Sequence, residues 1–150
     1  MSEGLVLLRP CITEVEMAEL LELDRAIFGK HAYDEDDIRG FYKNPYFSPW
    51  VFVDSNEFVG AMFISKWDDR YHIHGIGLLP EYRNRGLGTS AINFVDSMAV
   101  YDKLDITTRV KATNNSAIRL FKRSGFGETH IEELAYENTG EPGIHLIKKY

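Results

Sequence analysis

Cysteine is nearly absent from this sequence: Cys11 is the single example in 150 residues. One thiol excludes an intramolecular disulfide and a cysteine-rich metal framework. Together with the lack of a signal-peptide pattern, it favours a reducing, cytoplasmic compartment. A nucleophilic cysteine needs electropositive surroundings that the sequence does not indicate. Cys11 is therefore expected to be a small buried hydrophobe.

Long apolar runs and an excess of positive charge are also missing. No run approaches the roughly 18 residues that span a bilayer, so we expect a soluble protein without a membrane partner. Lysine and arginine number 17 against 23 aspartates and glutamates, for a net charge of -6. Phosphate backbones require a basic face, so nucleic acid is not expected as a partner, and cationic substrates fit better.

The rest of the composition is typical of a globular protein. Hydrophobic residues make up 44% and charged residues 27% of the chain. This length and balance predict a single domain over residues 1–150 with its own core. No repeat, low-complexity tract or linker interrupts it.

The first third of the chain predicts one strand and two helices. A short apolar run at residues 5–8 indicates a strand. A capping box at Thr13 opens a helix that Gly29 ends. Acidic residues 34–37 suit the N-terminus of a second helix, which Asn44 and the following proline end.

The remaining chain alternates strands and helices. Period-two segments at 50–53, 58–65 and 71–79, with short connections, predict an antiparallel meander. A helix over 87–99, a strand at 106–110, a helix over 116–124 and strands at 126–130 and 144–148 follow. This order predicts an α/β fold, an α+β mixed sheet with helices on its faces.

A glycine-containing loop lies between the third meander strand and the next helix. Gly86 and Gly88 let successive N–H groups converge, and the new helix adds its dipole at the same place. Arg83 and Arg85 would add charge-assisted contacts, so the loop is typical of a diphosphate site. The alternative is a plain tight turn. The pattern is neither a Walker loop nor a dinucleotide fingerprint.

This loop, from Leu78 to Gly88, resembles the strand-four and Arg/Gln-x-x-Gly-x-Gly/Ala pyrophosphate motif of the GNAT superfamily of acyl-CoA-dependent N-acyltransferases. A second segment, from Asn114 to Phe126, is similar to the family's Asn-x-x-Ala helix ending in Gly-Phe. The resemblance covers nearly the whole chain. It implies a mostly antiparallel sheet of six or seven strands with about four helices, and a splayed strand pair that holds the cofactor.

The resemblance implies acetyl-CoA as cosubstrate and a set of residues that bind it. Backbone groups near the end of strand four would flank the pantetheine and acetyl group, the loop would line the diphosphate, and Asn114 would hydrogen-bond the pantetheine arm. Phe121 stands where many members carry a tyrosine that protonates the leaving thiolate, which puts that acid in doubt. The implied cofactor-binding residues are Leu78, Leu79, Pro80, Arg83, Asn84, Arg85, Gly86, Leu87, Gly88, Thr89, Asn114 and Phe121.

Two histidines are the candidate catalytic residues. Amide formation needs an uncharged amine, and alkylamines have a pKa of about 10. His72 and His74 share one face of the predicted strand, and imidazoles with a pKa of about 6.5 suit a general base or water relay. The position of His72 resembles that of a catalytic glutamate in some members, and the pair is similar to that of arylalkylamine N-acetyltransferases. Structural histidines and a metal site are the alternatives.

The predicted activity is transfer of an acetyl group to a primary amine, either a small molecule or a protein amino group, by direct attack in a ternary complex. A non-catalytic module that senses acyl-CoA is the alternative, and a nucleotide phosphotransferase lacks the Walker lysine. Acidic residues 34–37 and 68–69 would attract a cationic acceptor or form a solvated face. A homodimer is compatible with the sequence.

Overall fold

The computed structural model describes residues 6–11, 13, 15–29, 40, 43–136 and 139–150. These contain seven strands, three α-helices and one short 3-10 helix. The strands are β1 (Leu7–Pro10), β2 (Phe47–Asp54), β3 (Glu57–Lys66), β4 (Arg70–Leu78), β5 (Asp105–Lys111), β6 (Gly127–Tyr136) and β7 (Glu141–Lys148). The α-helices are α1 (Val15–Phe28), α2 (Leu87–Asp102) and α3 (Asn115–Arg123), and the 3-10 helix is Pro80–Tyr82.

The strands form one mixed sheet in the order β1-β2-β3-β4-β5-β7-β6. β1 pairs with β2, β2 with β3, β5 with β7 and β6 with β7, all antiparallel. β4 and β5 pair in parallel, with Arg70 opposite Asp105 and Ile73 opposite Thr108 at the two ends of the register. Both strands continue beyond these residues, as expected for the splayed pair.

Contacts divide the chain into two compact units. The first unit contains the chain up to Ser65 and Gly75–Leu87. In it, the apolar face of α1, including Leu20 and Leu23, packs with side chains of β2 and β3. Cys11 belongs to this core at 4% exposure, and burial raises its pKa to about 12, so its thiol is inert.

One glycine of the first unit permits a close helix–strand approach. A Cβ added at Gly77 of β4 would lie 2.4 Å from Ile27 Cγ2 and 2.6 Å from Phe28 Cζ. Real side chains do not approach so closely, so only glycine lets the end of α1 lie directly on this part of β4.

The second unit contains Lys66–His74 and Gly88–Tyr150. Its core joins α2 and α3 to the strands, and β4 and β5 contribute alternate residues to it. Thr108 is buried in β5 and donates a hydrogen bond from Oγ1 to the Ile73 carbonyl at 2.8 Å, which satisfies its hydroxyl. The buried apolar side chains of this unit are Tyr71, Ile73, Ala91, Ile92, Val95, Ala99, Ile106, Val110, Phe121, Phe126 and Leu146.

Most predicted elements are confirmed, with shifted boundaries. β1 includes Arg9 and Pro10, which were expected to end it, because an edge strand tolerates a residue without an N–H. The Glu16 carboxylate accepts a hydrogen bond from Arg9 of β1 at 2.7 Å, and its hydrogen bonds with Arg9 and Thr13 both lower its pKa. Gly29, at φ +57°, follows α1 as predicted. The helix predicted between residues 34 and 44 lies almost entirely outside the described residues.

The two C-terminal strands are longer than predicted. β6 runs to Tyr136, six residues past its expected end at His130, and β7 begins at Glu141 rather than Ile144. Irregular register between Glu132 and Tyr136, with Leu134 at φ +55°, breaks the alternation that the prediction used.

Candidate active site

The loop between β4 and α2 is a tight turn with two residues in the left-handed region. The 3-10 helix Pro80–Tyr82 is closed by hydrogen bonds from Tyr82 N to Leu79 O (2.9 Å) and from Arg83 N to Pro80 O (3.3 Å). Asn84 (φ +61°) and Gly86 (φ +80°) then turn the chain into α2. The first turn of a helix points N–H groups outward, so the loop has the geometry of an anion site.

The two glycines of the loop have different physical roles. Gly86 needs its positive φ, and a Cβ built there meets nothing within 4 Å. Gly88 lies in the first turn of α2, where a Cβ would approach Leu120 Cδ2 of α3 to 3.0 Å. The sequence prediction gave both glycines the role of exposing N–H groups. For Gly88 the structure adds helix packing as a reason.

Each arginine of the loop is held by a different partner. Arg83 donates from Nε to the Leu78 carbonyl at 3.0 Å. The Arg85 guanidinium lies over the Tyr82 ring, with its Cζ 4.9 Å from the ring centroid. Tyr82 in turn donates its hydroxyl to Asp54 Oδ2 at 2.5 Å, and this hydrogen bond raises the Tyr82 pKa. Both arginines are exposed.

The other predicted residues of this stretch form the two ends of the loop. Leu78 is the last residue of β4, and Leu79 donates from its backbone N to Val59 O at 2.9 Å. Pro80 is the first residue of the 3-10 helix, which its missing N–H suits. Leu87 begins α2, and Thr89 is exposed in its first turn.

His72 and His74 lie together in an aromatic cluster of the second unit. Their ring centroids are 4.7 Å apart in an edge-to-face arrangement. The Trp67 ring stacks on His72 at 5.0 Å and meets His74 edge-on at 6.1 Å. On the neighbouring strand, Thr107 Oγ1 lies 2.7 Å from His72 Nδ1. The His72 ring is therefore fixed on one face by Trp67 and at one nitrogen by Thr107.

Both histidines are neutral at physiological pH. Burial, followed by the charges of His74 and Arg70, lowers the pKa of His72 to about 3. Burial and the Arg109 guanidinium lower the pKa of His74 to about 4. A neutral imidazole has one nitrogen that accepts a proton, but such weak bases do not retain it near pH 7. The pair therefore takes a proton only from a donor much more acidic than an alkylammonium ion.

A sequence model of the acetyltransferase (GNAT) family matches residues 15–126, which contain the loop, the histidines and α3. The chain belongs to the GNAT family. It is 29% identical over 84 residues to the probable N-acetyltransferase san of Drosophila melanogaster, and this match covers 53% of the chain. The match covers 45% of that protein, so the chain spans less than half the length of this curated relative.

Solved structures show the same fold at low identity. The ribosomal-protein-S18-alanine N-acetyltransferase from Escherichia coli has a TM-score of 0.84 at 14% identity, over 97% of this chain and 94% of that one. Arabidopsis thaliana NAA60 in complex with acetyl-CoA has a TM-score of 0.83 at 20% identity, over 97% of this chain and 100% of that one. These likenesses confirm the predicted mixed α/β fold of a GNAT protein.

The two predicted cofactor-binding residues at and within α3, Asn114 and Phe121, differ in exposure. Asn114 is the exposed N-cap of α3, and its Oδ1 accepts from Ala117 N at 3.1 Å. Phe121 is only 3% exposed and packs edge-to-face on Phe126, with ring centroids 5.1 Å apart. Its cofactor role stays a prediction.

Sequence reasoning missed the residues that support the predicted ones. Trp67 follows β3 directly, and its place beside His72 depends on the turn into β4. Thr107 faces His72 because of the parallel register of β4 and β5, which lie far apart in sequence. No sequence pattern assigned a role to Asp54. The alternation of His72 and His74 was the one local signal for this cluster.

None of the described helices has the length and apolarity of a membrane span. Within the described residues, no three histidine, cysteine, aspartate or glutamate side chains are grouped as a metal site would need.

Proposed function

We propose that this protein transfers an acetyl group from acetyl-CoA to a primary amine by direct attack within a ternary complex. The observation that carries the proposal is the family match over residues 15–126, combined with a left-handed turn at Asn84 and Gly86 that opens directly into α2. The amine nitrogen would bond to the acetyl carbon, the carbon–sulfur bond would break, and CoA would leave as its thiolate.

In this proposal the loop holds the cofactor diphosphate. The outward N–H groups at the start of α2 would meet its charge, with Arg83 and Arg85 at the exposed side. Backbone groups of Leu78 and Leu79 and the turn at Pro80 would flank the pantetheine. Asn84, Gly86, Leu87, Gly88 and Thr89 would line the diphosphate, and Asn114 and Phe121 would lie along the remaining cofactor. The match of these positions to the family motif supports the assignment.

His72 and His74 would move the proton that the attacking amine releases. The nitrogen becomes strongly acidic once its bond to the acetyl carbon forms, so even weak bases accept its proton. With pKa values of about 3 and about 4, the imidazoles would pass that proton to water rather than keep it. A thiol like that of CoA has a pKa of about 8.5, so its thiolate leaves without an acid at Phe121.

We further propose that the acceptor is an α-amino group of a peptide or protein rather than a lysine side chain. Because the histidines are weak bases, only the fraction of the amine that is already uncharged reacts. An α-amino group has a pKa of about 7.7–8.0 and lysine about 10.4, so at pH 7 the uncharged fraction differs by a factor of more than about 100. The names of the structural relatives, which include a ribosomal-protein-alanine N-acetyltransferase, support the same class.

An amine panel tests the activity. Purified protein is incubated with acetyl-CoA and short peptides with free N-termini, peptides with a blocked N-terminus and a free lysine, polyamines and aminoglycosides. Thiol release and product mass are then measured. We expect turnover with free N-termini. Turnover confined to lysine or polyamines would overturn the acceptor proposal. CoA binding without transfer to any amine would favour the acyl-CoA sensor instead.

Cofactor binding has a separate test. Any ligand selective for the folded state raises the melting temperature by mass action. CoA and acetyl-CoA should therefore raise it much more than pantetheine, which lacks the diphosphate. Equal shifts from CoA and pantetheine would contradict the role of the loop.

We also propose a cytoplasmic location and no nucleic-acid partner. The single cysteine and the net charge of -6 support these assignments. A homodimer remains compatible with them, and light scattering after size exclusion tests it: a single species of 17.2 kDa would exclude the dimer at the concentration used.

A further inference from the structure

Two contacts link Asp54, beside the β2–β3 turn, through Tyr82 to the exposed Arg85 of the loop. We propose that Asp54 and Tyr82 are positioning residues that hold the Arg85 guanidinium ready for the cofactor diphosphate. This inference rests on the proposed function, because it assumes that the loop binds that diphosphate. All three residues belong to the first compact unit.

The first residue of this series, Asp54, lies at a tight hairpin turn. Asp54 ends β2 and lies opposite Glu57 at the start of β3, so Ser55 and Asn56 alone form the turn. Both have positive φ, +51° and +70°, which is the geometry of the tight two-residue hairpin turn. The Ser55 hydroxyl also donates to Asp54 Oδ1 at 3.2 Å. The carboxylate of Asp54 is therefore held in one place by the hairpin.

Tyr82 connects that carboxylate to the loop. Its hydroxyl donates to Asp54 Oδ2 at 2.5 Å, and its backbone N donates to Leu79 O at 2.9 Å. Both ends of the residue are thus fixed, and the aromatic ring between them has a defined orientation. The hydrogen bond to Asp54 raises the Tyr82 pKa, as expected for a phenol that donates to a carboxylate.

The Arg85 guanidinium lies over the Tyr82 ring. Its guanidinium carbon lies 4.9 Å from the ring centroid, a distance at which the ring attracts the cation. A guanidinium has five N–H donors, and those that point away from the ring can bind phosphate oxygens in pairs. Because Arg85 is exposed, it would otherwise sample many rotamers. Holding it before the cofactor arrives reduces the entropy lost on binding.

Arg83 provides an internal comparison. Its Nε donates to the Leu78 carbonyl at 3.0 Å, so the backbone holds it and Tyr82 does not. If both arginines meet the diphosphate, loss of the Tyr82 hydroxyl should affect the contribution of Arg85 and leave that of Arg83 intact. The two arginines therefore distinguish a positioning role from general damage to the loop.

The experiment measures dissociation constants by calorimetry for CoA and for pantetheine. Tyr82→Phe keeps the ring and removes the hydroxyl, and Asp54→Ala removes the acceptor. Each should weaken CoA binding by about threefold to tenfold and leave pantetheine binding unchanged. Asp54→Asn keeps an acceptor oxygen and should retain most of the affinity. Glu57→Gln removes a carboxylate from the same hairpin and is the matched control for charge.

Double variants give the decisive comparison. On an Arg85→Ala background, Tyr82→Phe should have an effect of less than about twofold, because the residue it positions is gone. On an Arg83→Ala background, Tyr82→Phe should keep its full effect. Thermal unfolding checks that each variant is folded. If Asp54→Ala does not fold, Tyr82→Phe breaks the same hydrogen bond from the other side.

The outcomes separate this inference from the proposed function. Wild-type protein that does not bind CoA would overturn the proposed function itself. Normal CoA binding that Arg85→Ala weakens and Tyr82→Phe leaves unchanged would overturn only the positioning role. The same conclusion would follow if Tyr82→Phe had equal effects on the Arg85→Ala and Arg83→Ala backgrounds, or if Glu57→Gln matched Asp54→Ala.

Discussion

Acidification should destabilise this protein through His72 and His74. Their pKa values in the folded state are lowered to about 3 and about 4, whereas an unfolded chain has imidazoles with a pKa of about 6.5. As pH falls below about 6.5, the two imidazoles bind protons in the unfolded state but not in the folded state, so the free energy of unfolding decreases. The loss starts at the unfolded pKa and continues until the folded pKa values are reached.

The size of this effect follows from linkage. Between pH 7.5 and pH 5.5 each histidine lowers the free energy of unfolding by about 1.4 kcal/mol, and the pair by about 2.8 kcal/mol. This free-energy difference holds as long as both histidines have pKa values well below 5.5 in the folded state. Other titrating groups add their own contributions, so the measurement is a comparison with the variant His72→Asn/His74→Asn. The asparagine at position 72 keeps a polar atom near Thr107.

Urea unfolding of the wild type and the double variant at the two pH values provides the assay. The wild type should lose about 2.8 kcal/mol more than the variant over this interval. Equal losses in the two proteins would refute the reasoning. They would mean that water reaches the rings and that the histidines keep ordinary pKa values when folded.

Four further experiments have defined outcomes. The acid limb of kcat/KM should shift with the pKa of the acceptor amine in a series of peptides, because His72 is already deprotonated there; a limb that stays fixed for all acceptors would contradict this. Thr107→Val should lower kcat more than it raises the acetyl-CoA KM, since it releases the His72 ring; unchanged steady-state constants would remove its positioning role. Gly88→Val should cost about 1–3 kcal/mol in thermal unfolding by overpacking against Leu120, and Gly88→Ala much less; equal melting temperatures would contradict the packing argument. Phe121→Tyr should lower stability by about 1–3 kcal/mol, because it adds a hydroxyl to a buried site, while kcat of the folded variant rises or changes little; a sharp loss of kcat without destabilisation would indicate that the ring contacts substrate.

Local patterns predicted the fold because most of its signals lie within a few residues. Gly29 was predicted to end α1, and its positive φ agrees. The apolar run of β3 and the short turn before β4 predicted the meander, although β3 is buried at every position from Phe58 to Ser65 rather than at alternate ones. The ends of β1 and β6 were less predictable. Pro10 is tolerated only because β1 lies at the sheet edge, and the irregular pairing near Leu134 has no simple period.

The site was predictable as a motif but not as a set of contacts. The glycines of the loop and the spacing of His72 and His74 are local features that the sequence displays directly. The lowered pKa values are not, because they come mainly from burial and in part from the charge of Arg109, both of which depend on tertiary structure. Asp54 lies 28 residues before Tyr82, and no periodicity links them.

Because Gly77 has no side chain, the residue types at positions 27, 28 and 77 are expected to vary together. Ile27 and Phe28 occupy the space that a Cβ at position 77 would need. A relative with alanine at this position is therefore expected to carry smaller residues at the end of its first helix. In the laboratory, Gly77→Ala alone should be poorly tolerated, and Ile27→Ala should partly restore it. Libraries that aim to reshape α1 must vary these positions jointly, since single changes at either side leave a clash or a cavity.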